Sequence, residues 1–333
     1  MFSIFTIISA LPLAVFSLSP PSSRTTPPTG AFIVRSGTTS SSEYASLTEA
    51  VAALPSGTSA VTIFMYPGTY SEQVDITRAA VTIMGYTEDP GSYTSNQVTI
   101  TAGESAGTAG SDDASGTLRL HADDIALYNI DIKNTFGSGS QAIALSNYGN
   151  QVGVYACGLY GYQDTLLAEQ GLQVYLQSYI EGAVDFIFGQ TAQGYFEGNT
   201  LAVSGTGCIT ASGRDEDNDA IYLFNHNTII KASDATTIDY TYLGRPWSDF
   251  AQVIFLNTEV ETALEAALWM EWSSSEPNTD HVVFADYNTT GSGVPSSLDR
   301  PSWATALTSS EAADYTLSSA LGTTSWVDSD YLM

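Results

Sequence analysis

The chain has 333 residues, with 36 Asp and Glu against 9 Lys and Arg, and a formal charge of −27. That balance excludes a phosphate backbone as ligand, so nucleic acid is not a partner. Its two cysteines, Cys157 and Cys208, are too few to staple a chain of this size, and buried free thiols are expected.

Residues 1–19 are apolar and uncharged, too short for a stable membrane anchor, and read as a signal peptide with the cleavage site left open. Residues 20–30, rich in Ser, Thr and Pro, read as a flexible linker, and 31–333 as one domain. Ser46-Leu47-Thr48-Glu49 fits a capping box, and Leu47, Ala50, Val51 and Leu54 follow at helical spacing, so a short helix is expected to end near Pro55. Strands are predicted over 61–66, 81–84, 98–101, 117–120 and 125–132, several of them punctuated by Gly, Pro, Asn or Asp. Gly103-Glu104-Ser105-Ala106-Gly107 matches the elbow of serine hydrolases, but the Gly-, Ser- and Asp-rich stretch after it argues against the required helix. The three histidines, His121, His226 and His281, have no motif around them, and no His/Cys/Asp cluster has metal-ligand spacing. Further strands are predicted over 221–230 and 252–256, separated by loops that carry Asp215-Glu216-Asp217 and Tyr242 to Trp247. A last helix is expected around 310–315.

The spacing is that of a solenoid. Tyr155, Tyr175 and Tyr195 stand 20 apart, flanked by Tyr128 and Tyr222 at 27 (155 − 128; 222 − 195), as if the chain returned to one side after each lap. Asp164 and Asp185, each inside an apolar stretch, stand 21 apart (185 − 164) and would sit on neighbouring strands about 4.8 Å apart. Two carboxylates so placed cannot both ionise easily: one pKa should rise and the other stay low. Arg245, in a loop stiffened by Pro246, is the cation that would decide between them. Gln141 and Gln163 lie 22 apart (163 − 141) and could converge as oxyanion donors. Trp247, Trp269 and Trp272 belong either to the core or to a sugar-stacking surface.

Gln141-Ala142-Ile143-Ala144-Leu145, Gly161-Tyr162-Gln163-Asp164-Thr165-Leu166, Val184-Asp185-Phe186-Ile187-Phe188-Gly189, Thr210-Ala211-Ser212-Gly213-Arg214 and Leu243-Gly244-Arg245-Pro246-Trp247 together resemble the pectin methylesterases, or pectinesterases, of the fungal secreted style. The resemblance implies an all-β, single-stranded, right-handed parallel β-helix with short capping helices at both ends. It implies a secreted enzyme, without cofactor or metal, that demethylates homogalacturonan to pectate and methanol; nothing in the sequence points to an oligomer, so a monomer is expected. By the same resemblance Asp185 is the nucleophile, Asp164 the general acid and then base, Gln163 with Gln141 the oxyanion donors, and Arg245 the partner of Asp185. Thr117, Phe188, Trp247 and Trp269 resemble its substrate-lining positions, together with Gln141 and Arg245. Leu167 stands where many members have Tyr, and Ser178 where plant members have the cysteine that pairs with the equivalent of Cys157. Asn288-Thr289-Thr290 is an N-glycosylation acceptor sequence. The rival readings are a polygalacturonase or pectate lyase, whose Gly-His-Gly and Ca²⁺ patterns are missing here, and a non-catalytic wall-binding solenoid.

Overall fold

A computed structural model describes residues 20–235 and 237–333; the proposed signal peptide, residues 1–19, lies outside them. The chain winds as a parallel β-helix whose three faces are sheets of 11, 7 and 8 strands. One lap shows the plan: Val152–Tyr155 lies in the first sheet, Gly158–Tyr160 in the 8-stranded sheet and Leu166–Ala168 in the 7-stranded sheet, before Gln170–Leu176 re-enters the first. The first corner is one residue in the left-handed region, repeated at Asn129, Ala156, Gln177, Gly198, His226, Asn257 and Asn288. The predicted strands 125–132 and 221–230 therefore each break in two at this corner. Asn199 and Asn227 ladder beside it: the amide oxygen of Asn227 accepts the Asn199 N–H at 2.9 Å, while the two side-chain amides donate to the carbonyls of Tyr175 and Phe196. Buried backbone groups at the bend are thus satisfied.

The lap is 21 residues where the site is built: Leu145 pairs with Leu166, and Leu166 with Ile187. The tyrosine column is therefore off by one. Tyr175 pairs with Val154, and Tyr195 with Val174. Because side chains alternate along a strand, a one-residue slip reverses the face: Tyr175 joins the inner core, and Tyr155 and Tyr195 point outward. Only the Tyr128–Tyr155 step is a true pair, stacked at 4.7 Å. Inside, Tyr175, Phe196, Phe224 and Phe255 stack at centroid spacings of 4.7, 4.4 and 4.2 Å.

The helix Leu47–Ala52 forms as predicted, with Ser46 capping Glu49 N–H; Glu49 reaches back to Ala45 rather than to the cap residue. It buries Leu47 and Ala50 in the core. The C-terminal helices, Ser309–Ala312 and a second one not foreseen, Leu317–Leu321, do not cap the end of the coil. They cover the apolar outer face of the 11-stranded sheet, where Ala312, Ala320, Leu321 and Tyr331 meet Tyr155, Leu223 and Ile254. Residues 20–30 are not a loose tether: Arg24 bridges to Thr87, hydrogen-bonds Asn129 and Tyr331, and lies over the Tyr128 ring. The segment Tyr242 to Trp247, expected as a loop, contributes the strand Thr241–Pro246. Cys157 and Cys208 are free and buried, and Ser178 Oγ accepts the Cys157 N–H at 3.0 Å.

Candidate active site

The 7-stranded sheet presents a straight outward row: Asp75, Arg119, Ser146, Leu167, Phe188, Ala211 and Arg245 occupy paired positions on successive strands. Six strand spacings make a track of about 29 Å. The inward row beside it runs Leu118, Leu145, Leu166, Ile187, Thr210, Gly244 and Trp269. Gly244 is required there, because a Cβ would lie 2.0 Å from the Thr210 hydroxyl.

Asp164 and Asp185 stand on the turns that lead from the 8-stranded into the 7-stranded sheet, one lap apart, as Gln163 paired with Val184 fixes. Both adopt left-handed backbone, φ 64° and 50°, a conformation Asp tolerates better than most residues. Their N–H groups donate to the carbonyls of Val184 and Cys208. The turns are tight: a Cβ on Gly182 would lie 2.2 Å from that of Phe186. The two carboxylates thus open into one cleft of about 260 Å³ with Gln141, Gln163, Phe188, Ala211, Arg245, Trp247, Trp272 and Asp112.

Arg245 takes only one of the acids. Its Nε and Nη2 donate to the two oxygens of Asp185 at 2.9 and 2.7 Å, and its guanidinium lies 4.2 Å over the Trp272 ring. Asp164 pairs with no cation among the described residues, and burial pushes its carboxyl up to about 9, with the charges of Asp185 and Asp112 adding and Arg245 opposing. Asp185 differs from the expectation of a low value: burial raises it too, and the hydrogen bonds and charge of Arg245 pull it back. On Arg245 burial acts downward but is outweighed by Asp185, so the guanidinium is raised. Arg245 thus favours the charged form of Asp185 alone, and the acid beside the pair, Asp164, is the one held protonated. Among the described residues the Gln163 amide makes no hydrogen bond, and the Gln141 oxygen accepts from Ser140 Oγ alone, at 3.4 Å, leaving amide donors available in the cleft.

Two substrate-lining expectations are corrected. Trp269 is 1% exposed, at the end of the inward row and stacked on Phe284 at 4.6 Å; Trp272 occupies the cleft instead. A signal was available, since Trp269 sits in Ala-Leu-Trp-Met and Trp272 precedes three serines. Thr117 is fully buried, and its hydroxyl donates to the Lys133 carbonyl. Asp112, on the short helix Asp112–Ser115, lines the cleft and had no periodicity to mark it. Phe188 and Trp247 do line it, with rings 6.3 Å apart. The elbow-like Ser105 is buried before a four-residue helix and bonds Thr108, not a histidine.

Replacing Arg245 by Lys removes the two-pronged contact while keeping the charge. The expected result is a loss of ~100-fold or more in kcat. Near-wild-type turnover would reduce Arg245 to holding its strand and the Asp185 turn in place.

The Pectinesterase family model matches residues 33–324. The pectinesterase of Aspergillus aculeatus is 42% identical, covering 97% of this chain and 99% of that protein. The solved pectin methylesterase from Aspergillus niger, in deglycosylated form, superposes with a TM-score of 0.83 at 35% identity, over 93% of this chain and 99% of that one. The pectin methylesterase from carrot does so with a TM-score of 0.79 at 25% identity, over 91% and 96%.

Proposed function

The chain belongs to the pectinesterase family, and we propose that Asp185 is its nucleophile and Asp164 its general acid and then base. Membership makes it an esterase that demethylates pectin; the residue roles rest on one observation, a guanidinium that grips Asp185 with both prongs and leaves Asp164 alone beside it. An ionised Asp185 oxygen attacks the C6 carbonyl of a methyl-esterified galacturonate, and the carbonyl electron pair moves onto oxygen, where Gln163 and Gln141 donate. Collapse breaks the bond to methoxide, which takes the Asp164 proton and leaves as methanol. The acyl-enzyme is a mixed anhydride. Water gives a proton to Asp164 and its hydroxide to the anhydride, which releases galacturonate and returns Asp185. Phe188, Trp247 and Trp272 offer the apolar faces against which sugar C–H groups pack.

Asp164 must be protonated in the first step, so its raised pKa keeps the acid available through neutral pH. As pH rises through about 9 the proton is lost, and kcat/KM for methanol release should fall on a limb centred there. A flat profile across that range would remove Asp164 from the acid role.

The apolar residues 1–19 support a secreted enzyme, which would meet its pectin outside the cell, in plant wall material. No helix among the described residues is long and apolar enough to cross a membrane. Asn288 is exposed on its turn, which suits a glycan acceptor.

A further inference from the structure

Two neighbouring acids on the helix Asp112–Ser115 have opposite surroundings. Asp113 is enclosed: Arg119 lies 3.7 Å from it, His121 Nε2 3.1 Å, and Ser146 donates its hydroxyl at 2.7 Å. Asp112 turns into the cleft with Asp164 and Asp185, and its carboxylate enters no ion pair or hydrogen bond among the described residues. The cleft's cation, Arg245, already directs Nε and Nη2 at Asp185. Three carboxylates therefore line a cleft that holds one guanidinium.

Esterified galacturonate is neutral, and the de-esterified residue carries a negative charge. We propose that Asp112 is a specificity-determining residue: it admits esterified sugars beside the reacting one and rejects those already demethylated. The inference rests on the esterase reading above. Its basis is that a like charge in a half-buried cleft is screened far less than one on open surface. The same charge reaches Asp164, whose carboxyl it helps to raise. Burial raises the Asp112 carboxyl itself, so the discrimination should weaken as pH falls and its charge is lost.

The test compares wild type with Asp112→Asn and Asp112→Glu on two homogalacturonans of equal length, one nearly fully and one sparsely esterified, by kcat/KM for methanol release. Asp112→Asn should raise the sparse-to-full ratio about five-fold and strengthen inhibition by polygalacturonate several-fold, the size expected for removing one like-charge contact. Asp112→Glu, which keeps the charge, should retain the wild-type ratio. An active wild type with the same ratio in Asp112→Asn, folded by circular dichroism, overturns this inference alone. A wild type that releases no methanol from either polymer overturns the esterase reading and the inference with it.

Discussion

Asp185→Ala should lower methanol release from esterified homogalacturonan by about 10⁴-fold or more, since it removes the proposed nucleophile. The oxyanion donors and aromatic faces remain, so binding of the polymer should change far less than kcat. The fold should survive, because it is held by the inner stack of Tyr175, Phe196, Phe224 and Phe255, away from the cleft. The substitution leaves the Arg245 guanidinium without its partner, but that side chain is 21% exposed and water can solvate it. Circular dichroism and thermal unfolding, measured beside the assay, separate lost chemistry from lost structure. A folded Asp185→Ala enzyme with substantial turnover would assign the attack to another group.

The second large effect is at Asp164. Asp164→Asn keeps the shape and removes the proton that methoxide needs, and should cost about 10²- to 10⁴-fold in kcat on the methyl ester. The discriminating readout is the leaving group. On a trifluoroethyl ester, whose alcohol departs with less help, the loss should shrink; an equal loss on both esters would mean that Asp164 positions substrate and donates no proton. The neighbouring charges fix the direction: burial, Asp185 and Asp112 all favour the protonated form, and Arg245, committed to Asp185, opposes it too weakly.

The sequence exposed this site because its two acids sit on a repeated element. A 21-residue lap placed Asp164 beside Asp185, and adjacent strands in fixed register make that inference sound. The tyrosines misled for the same reason: an interval of 20 instead of 21 looks alike in a list of positions and reverses the face, so Tyr175 stacks in the core while Tyr155 packs under the C-terminal segment. The choice of Trp269 over Trp272 failed because the backbone pairing of Gly244 with Trp269, set in a segment with no periodicity, decides which tryptophan faces inward, and the apolar neighbours of Trp269 were the one hint of it in the sequence. Asp112 lay outside every repeat, on a helix of four residues. The split of charge between Asp112 and Asp113 is a tertiary fact, produced by Arg119 and His121 arriving from the next strand. The C-terminal helices cover a sheet face rather than the coil's end because the outward row there is apolar, a consequence of the register rather than of the helices' own sequence.

The most direct test of the account is methanol release by the wild-type enzyme from highly esterified homogalacturonan, with and without chelator, alongside polymer length and unsaturated ends. The account predicts one methanol for each new carboxylate, no shortening of the chain, and the same rate in chelator. Chain cleavage without methanol, or chelator-sensitive formation of unsaturated ends, would contradict it.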